Sequence, residues 1–330
     1  MHIGLLGAGR IGAFHARALA HNGLVDGLSI ADADFNRAAT LAGELNAQCR
    51  PTPEDVVAGG VDGLVIAAPT PAHAALIHLA ADAGFPVFCE KPIALDLETT
   101  DAVLDHVAEA GILLQIGFQR RFDPGYRTAR QEVLSGRIGD LLLARAATHD
   151  PEPPPEEYLA GSGGIWRDLM IHDFDVLPWV TGRQIVEVYA DGGAGGELFG
   201  RYDDLDRAAA LLRFDSGALG IVSGGRYDPL GYDVRLELLG LRDSIAVGMD
   251  DRIALRSVEP GVAPPKSGHR DFMERFESAY RAELQTFLEA VRDRGESACS
   301  GEDARRALCV ALAAERSCRE HRPVRVEEIG

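Results

Sequence analysis

The stretch Gly7-Ala8-Gly9-Arg10-Ile11-Gly12 decides the fold of this chain. It has the spacing GxGxxG, follows a short apolar run typical of a strand, and opens a helical pattern. In that context Gly7 permits a tight turn, Gly9 lets the backbone approach a pyrophosphate, and Gly12 allows close helix–strand packing. Unpaired N–H groups at the start of the helix would hold the phosphates, with Arg10 and Ile11 beside them. The stretch therefore predicts a dinucleotide site, and a glycine-rich turn that binds nothing is the alternative.

Strand and helix patterns alternate outward from this stretch, from residue 2 to about residue 117. Such alternation predicts a parallel sheet wound with right-handed crossovers. From Phe118 onward, strand-like runs follow one another, which favours a mostly antiparallel open sheet with helices on one face. We therefore expect an α/β chain with a Rossmann dinucleotide-binding domain at residues 1–118 and an α+β domain at residues 119–330. Within the second domain, residues 166–177 predict one helix and residues 253–257 a strand.

Composition and charge exclude several classes of protein. The chain has 330 residues and a net charge of −18, so nucleic acids and anionic membranes are disfavoured as partners. No run approaches the ~20 apolar residues of a membrane span, and no basic leader precedes the first strand, so we expect a cytoplasmic protein. Five cysteines without CxxC spacing make a disulfide framework or a zinc site improbable, and we expect no metal.

Acidic and proline-rich positions refine the cofactor prediction. Asp32 lies twenty residues after Gly12, where a carboxylate accepts hydrogen bonds from the adenosine ribose and repels a 2′-phosphate. This favours NAD, although Arg37 leaves NADP possible. The loop after the next buried strand would pass the nicotinamide ribose. Its candidate cofactor contacts are Ala68, Pro69, Thr70 and His73, and the alternative for His73 is a plain residue at the start of a helix.

Two further segments carry chemistry. In Glu90-Lys91-Pro92 a lysine follows a predicted strand, and Pro92 disfavours helical angles at Lys91 and permits a cis bond. Asp168 and His172 are four residues apart and would share a face if their segment is helical. A histidine, with an unperturbed pKa of ~6.5, suits removal of a hydroxyl proton. Asp168 would fix its tautomer, and Lys91 would stabilise negative charge on the reacting oxygen. A surface pair and a solvent-exposed lysine are the alternatives.

Longer strings resemble the glucose–fructose oxidoreductase/inositol dehydrogenase/MocA (Gfo/Idh/MocA) family, and in particular its inositol 2-dehydrogenases. The resemblance covers essentially the whole chain. Beyond GAGRIG, it rests on CEKP at 89–92, GFQRRFDPGY at 117–126, HDPEPPPEEY at 149–158, SGGIWRDLMIHDFD at 162–175, GYD at 231–233 and AYRAEL at 279–284.

The resemblance implies roles for individual residues. Lys91, Asp168 and His172 match the family's catalytic lysine and Asp/His pair, and Glu90 falls with Lys91 among the cofactor contacts. Arg120 matches an arginine near cofactor and substrate. Positions that look like contacts to substrate hydroxyls are Asp150, Tyr232 and Tyr280. The family also implies that the carboxy-terminal sheet packs against another subunit, in a homotetramer or dimer.

These observations predict an NAD-dependent inositol 2-dehydrogenase that oxidises a ring hydroxyl of myo-inositol to the 2-ketone. The alternatives are an NAD(P)-dependent dehydrogenase of scyllo-inositol, a sugar or a glycoside, a redox-neutral glycosidase that recycles NAD, and a dinucleotide sensor without catalysis. Arg120, Asp150, Asp168, His172 and Tyr232 together suit a polyhydroxylated ring, because a site built for hydroxyls rejects analogues that lack them.

Overall fold

The computed structural model describes all 330 residues and separates into two compact units. The first contains Met1–Gln119 and Tyr280–Arg305, and the second contains Arg120–Ala279 and Arg306–Gly330. A unit with a parallel sheet followed by a unit with a mostly antiparallel sheet confirms the expected fold class. None of the helices is long and apolar enough to cross a membrane.

Six parallel strands form the sheet of the first unit. The strands are β1 (His2–Leu6), β2 (Gly27–Ala31), β3 (Gln48–Cys49), β4 (Gly63–Ile66), β5 (Val87–Glu90) and β6 (Leu114–Gly117). The helices between them are α1 (Arg10–Ala20), α2 (Phe35–Leu45), α3 (Pro53–Ala58), α4 (Thr70–Ala83) and α5 (Leu97–Ala110). The strand order β3-β2-β1-β4-β5-β6 is that of a dinucleotide-binding fold, in which ligands bind beyond the carboxyl ends of the strands.

Seven strands form the sheet of the second unit. They are β7 (Leu141–His149), β8 (Ile185–Gly193), β9 (Arg207–Phe214), β10 (Leu219–Gly225), β11 (Asp233–Gly240), β12 (Ser244–Val247) and β13 (Val324–Arg325), in the order β12-β11-β7-β10-β9-β8-β13. Every neighbouring pair is antiparallel except β7 with β10. The helices are α6 (Pro124–Leu134), α7 (Glu156–Ser162), α8 (Gly164–Asp168), α9 (Ile171–Thr181), α10 (Glu197–Gly200), α11 (Phe272–Asp293) and α12 (Gly301–Glu320), with short 3₁₀ helices at Gln119–Phe122 and Val326–Glu328.

Apolar packing explains how each sheet is held. In the first unit, buried strand residues such as Ile3 and Phe88 share a core with Leu284 and Phe287, from the part of α11 that belongs to this unit. In the second unit, β9 alternates exposed and buried residues, as expected for a sheet with one covered face. The loops after β1, β4 and β5 therefore extend from a parallel sheet with a buried apolar core.

Two predicted elements differ from the structure. Residues 166–177 form two helices, because the Met170 N–H bonds the Ile165 carbonyl five residues back, where the Leu169 N–H also bonds, and the regular helical ladder is interrupted. Residues 253–257 are not a strand, since β12 is the edge of its sheet and no strand pairs with this segment. Residues 151–155 and 260–270 lie outside helices and strands.

Candidate active site

The glycine-rich turn after β1 has the shape needed to approach a pyrophosphate. Gly7 has φ +103°, and a Cβ there would lie 2.5 Å from the Ala68 nitrogen. A Cβ at Gly12 would collide with the Gly7 carbonyl, whereas one at Gly9 would meet nothing within 4 Å. No side chain caps the start of α1, where Arg10 is exposed and Ile11 half-buried. Open space beside uncapped N–H groups fits a dinucleotide phosphate.

Asp32 stands at the end of β2, next to this turn. Its carboxylate accepts from the Ala8 N–H at 2.6 Å and from the Asp34 N–H at 2.7 Å. Since each carboxylate oxygen has two lone pairs, ribose hydroxyls can still bond it. Arg37 lies 3.6 Å from Asp32 and 3.5 Å from Asp34, so its charge is already shared between two carboxylates. These residues fit NAD.

The loops after β4 and β5 are joined by His73. This side chain is 1% exposed, and its two ring nitrogens lie 2.7 Å from the Pro92 carbonyl and 2.8 Å from the Ala68 carbonyl. Burial lowers the pKa of His73, although both carbonyls favour a proton. His73 therefore links the Ala68 loop to the loop that carries Lys91. Pro69 is the N-cap residue of α4, and Thr70 is the first residue of that helix. The Lys91–Pro92 bond is cis.

Glu90 ends β5 and is buried beside a histidine that the sequence analysis did not single out. Its Oε1 lies 2.7 Å from Nε2 of His15, a fully buried residue of α1. Lys91 follows and is half-buried. The cofactor candidates of the first unit thus lie at or just beyond the carboxyl ends of β1, β2, β4 and β5, where the fold class places its ligands.

In the second unit, Asp168 is held by two donors that no sequence motif indicates. Its carboxylate accepts from Tyr158 Oη at 2.9 Å and from Nη2 of Arg226 at 2.9 Å. The same guanidinium donates to Asp150 at 3.1 Å and is 2% exposed. Burial disfavours the cation, but the two carboxylates raise the pKa of Arg226. Asp150, Arg226 and Asp168 therefore form one charged cluster, and half-buried His172 lies at the start of α9.

Arg120 lies in a buried network in the same unit. Its Nη1 donates to Asp173 at 2.6 Å and its Nη2 to the Thr148 hydroxyl at 2.9 Å. Thr148 in turn donates to Asp173 at 2.7 Å. Burial disfavours the Arg120 cation, but the Asp173 carboxylate raises its pKa. These contacts hold the start of α9, and the predicted cofactor and substrate contacts of Arg120 stay predictions.

Arg121 forms a second buried ion pair, with Asp175. Its Nε and Nη2 both donate to that carboxylate, the shortest bond being 2.6 Å. The segment that contains Arg120 and Arg121 is therefore joined to the segment His172–Asp175 by two ion pairs, one from each arginine. Asp173 and Asp175, the two acidic residues that closely follow His172, are thus both paired with arginines.

The two tyrosines predicted to bind substrate lie in different units. Tyr232 is 5% exposed, packs edge-on against Phe276, and has its pKa raised by burial. Tyr280 belongs to the first unit, is 4% exposed, and packs edge-on against His15 and Phe14. Their substrate contacts stay predictions.

Arg226 and His15 were missed because their partners are distant in sequence. Tyr158 was missed because its separation of ten residues from Asp168 is not a spacing that indicates a contact on one helix face. Arg226 reaches Asp150 because β10 pairs with β7, which places Gly225 opposite His149. This register is set by the folded sheet and has no counterpart in local spacing.

Family models match both parts of the chain. The model of an oxidoreductase family with an NAD-binding Rossmann fold matches residues 1–118, and that of the GFO/IDH/MocA C-terminal domain matches residues 126–246. The chain is 40% identical to the myo-inositol dehydrogenase Hyg17 of Streptomyces leeuwenhoekii over 96% of its length and 97% of that protein. It is 36% identical to an inositol 2-dehydrogenase of Rhizobium meliloti, over 99% of each. A scyllo-inositol 2-dehydrogenase (NAD(+)) of Bacillus subtilis is 35% identical, over 98% of this chain and 95% of that protein.

Solved structures give the same result for the fold. A probable dehydrogenase from Thermotoga maritima superposes with a TM-score of 0.94 at 33% identity, over 100% of both chains. A scyllo-inositol dehydrogenase from Lactobacillus casei, solved with NAD(H) and scyllo-inositol, superposes with a TM-score of 0.90 at 29% identity, over 99% of both chains.

Proposed function

Because the chain belongs to the Gfo/Idh/MocA oxidoreductase family, we propose that it oxidises a ring hydroxyl of myo-inositol to the 2-ketone. It is an NAD-dependent dehydrogenase, and bound NAD supplies the hydride acceptor. Two relatives, at 40% and 36% identity, are named for myo-inositol or inositol oxidation, which supports this substrate class.

The observation that carries the proposal is the polar cluster before α9. Asp168 is fixed by Arg226 and Tyr158, four residues before the half-buried His172. In the proposal, His172 removes the hydroxyl proton and Asp168 stabilises the imidazolium that forms. Lys91, after β5, holds the reacting oxygen and stabilises its negative charge.

The ring's other hydroxyls need partners of their own. Asp150 is half-buried and shares Arg226 with Asp168, so it offers an acceptor beside the proposed base. Tyr232 and Arg120 complete the proposed substrate contacts in the second unit, and Tyr280 is the proposed contact in the first. Such polar groups would discriminate strongly against analogues that lack a hydroxyl.

Absorbance of NADH tests the substrate assignment. Purified protein with NAD should produce NADH steadily with myo-inositol, and the highest kcat/KM in a panel of myo-inositol, scyllo-inositol, glucose and a glycoside should belong to myo-inositol. A higher value with scyllo-inositol would favour the alternative that the Bacillus subtilis relative supports. Glycoside cleavage without NADH would contradict the proposed oxidation.

A homo-oligomer, tetramer or dimer, is part of the proposal. On one face of the second sheet, the register aligns Tyr189, Leu211 and Ile221 across β8, β9 and β10. These side chains are 41%, 47% and 43% exposed. A row of exposed apolar residues on a sheet face is typical of a surface that another chain covers.

A further inference from the structure

A buried cluster of three titratable side chains in the first unit joins Glu90, a candidate cofactor contact, to two residues that have no part in the proposed chemistry. His15 from α1, Glu90 from β5 and Glu283 from α11 place one ligand-type atom each within 4.8 Å of one another. His15 and Glu283 are fully buried, and Glu90 is 9% exposed. Three ionisable groups so far from water require a defined distribution of protons.

Aromatic rings and one buried amide surround the cluster. The His15 ring packs edge-on against Phe88 at 5.5 Å and against Tyr280 at 5.9 Å. From β6, the Gln115 amide donates to the backbone carbonyl of Glu283 at 2.9 Å, which fixes this turn of α11. An ionised carboxylate is costly in such surroundings unless donors reach it.

Of the two carboxyl groups in the cluster, Glu90 has a hydrogen-bond partner and Glu283 has none. Glu90 Oε1 has Nε2 of His15 at 2.7 Å. Both oxygens of Glu283 are buried without a hydrogen-bond partner. Burial, and then the negative charge of Glu90, raise the pKa of Glu283 well above its usual range. A protonated carboxyl becomes a donor, and the neighbouring Glu90 is an acceptor for it.

We propose that Glu283 is a neutral carboxylic acid that shares its proton with Glu90, and that this bond and His15 together position Glu90 and the adjoining Lys91. The proton leaves the two carboxyls with one negative charge, which the His15 N–H stabilises. Glu283 is thus a positioning residue. The part that concerns Lys91 rests on the proposed function, whereas the protonation of Glu283 does not.

Infrared spectroscopy of Glu283→Gln tests the proton directly. At pH 8 the unchanged protein should show the carbonyl band of a protonated carboxylic acid, which Glu283→Gln removes. Glu289→Gln is the matched control, because Glu289 is exposed on the same helix, and it should keep the band. Absence of the band from the unchanged protein would overturn the proposal.

Thermal unfolding against pH gives a second readout that needs no activity. With a raised folded-state pKa, the folded protein holds more protons than the unfolded chain above pH ~4.3, so Glu283 reduces stability progressively as pH rises. Glu283→Gln removes this pH-dependent loss of stability. The Tm of Glu283→Gln minus the Tm of the unchanged protein should therefore increase between pH 5 and pH 8, whereas the same difference for Glu289→Gln should not change with pH. A cluster that binds a divalent cation would give the opposite result: Glu283→Gln would lower Tm at pH 8, and a chelator would lower the Tm of the unchanged protein alone.

Kinetics with NAD and myo-inositol tests the positioning role. Glu283→Gln keeps a neutral donor and should retain kcat within about twofold, whereas Glu283→Leu has none and should lose about tenfold in kcat through misplacement of Lys91. The pH profile of Glu283→Leu should also change. Equal kcat in the Leu and Gln variants would overturn the positioning role, and the infrared and Tm results would still decide the protonation.

Discussion

At the scale of single residues, Arg226 organises the polar cluster of the second unit. Its buried guanidinium donates to both Asp150 and Asp168, and no solvent competes for it at 2% exposure. A planar guanidinium that donates from its two terminal nitrogens to two different carboxylates fixes the direction of both at once, which a lysine would not do. The orientation of Asp168 therefore depends on a residue 58 positions away in the sequence.

His172→Ala tests the proposed base. Loss of a general base lowers kcat by roughly 10²–10⁴-fold, while the affinity for NAD should change little because His172 is not among the proposed cofactor contacts. Steady-state kinetics and NAD titration measure the two quantities. His21→Ala, at an exposed position of the first unit, is the control and should keep kcat. Unchanged turnover in His172→Ala would remove the assigned role.

Arg226→Met tests the charged cluster. It leaves Asp150 and Asp168 without their shared cation, and loss of one partner from a buried ion pair costs about 3–5 kcal/mol in the free energy of unfolding. Urea denaturation measures this loss. Arg17→Met, which removes an arginine whose side chain is 53% exposed beside Glu44, should change stability by at most about 1 kcal/mol. Equal effects of the two substitutions would contradict the organising role of Arg226.

At the scale of elements, α9 is anchored by the Arg120–Asp173 and Arg121–Asp175 pairs. Both arginines come from the 3₁₀ helix Gln119–Phe122, directly after β6. Two adjacent arginines thus engage residues two apart on α9. The start of α9, which contains His172, is therefore held in place by contacts from the 3₁₀ helix Gln119–Phe122.

A double-mutant cycle on Arg121 and Asp175 tests this anchoring. Asp175→Leu alone removes the carboxylate to which Nε and Nη2 of Arg121 donate, and should destabilise the protein by about 3–5 kcal/mol. Adding Arg121→Leu removes the other charge of this pair and should recover most of that loss, giving a coupling energy above about 1 kcal/mol by urea denaturation. Additive effects of the two substitutions would contradict a shared anchoring pair.

Most helices and strands could be predicted from local sequence patterns, but their interruptions and pairing could not. GAGRIG, with the alternation of strands and helices around it, predicted the parallel sheet because glycine spacing and hydrophobic period are local properties. The break between α8 and α9 was not predicted, since it lies in backbone hydrogen bonding at Met170. Residues 253–257 have strand propensity, but a strand also needs a neighbouring strand, and propensity cannot supply one.

The candidate site was predictable only in part for the same reason. Motifs supplied the glycine turn, Asp32 and the Lys91 loop, each of which lies at a strand end where the fold puts ligands. His15 and Glu283 meet Glu90 only after α1, β5 and α11 have packed together. The spacing of these three residues along the chain therefore could not predict that they lie close together.

At the scale of the whole molecule, the net charge of −18 makes local donors necessary for binding an anionic dinucleotide. The uncapped start of α1 and Arg10 provide them at the glycine turn. The exposed apolar row on the second sheet is the other large-scale feature, and it accounts for the proposed association of subunits.

Ile221→Asp tests that association. A charge in the middle of the exposed row should be costly to bury, so the variant should shift from oligomer to smaller species by size exclusion with light scattering. Leu134→Asp is the control, because Leu134 is 61% exposed at the end of α6, away from that row. A monomeric unchanged protein would contradict the proposed oligomer.

The fate of the ring hydrogen tests the central claim most directly. Myo-inositol carrying deuterium at carbon 2 would be incubated with the protein and NAD, and both products examined by NMR and mass spectrometry. The proposed oxidation predicts deuterated NADH and a 2-keto inositol without the label. NADH without deuterium, or a ketone at another ring carbon, would contradict oxidation at the proposed position.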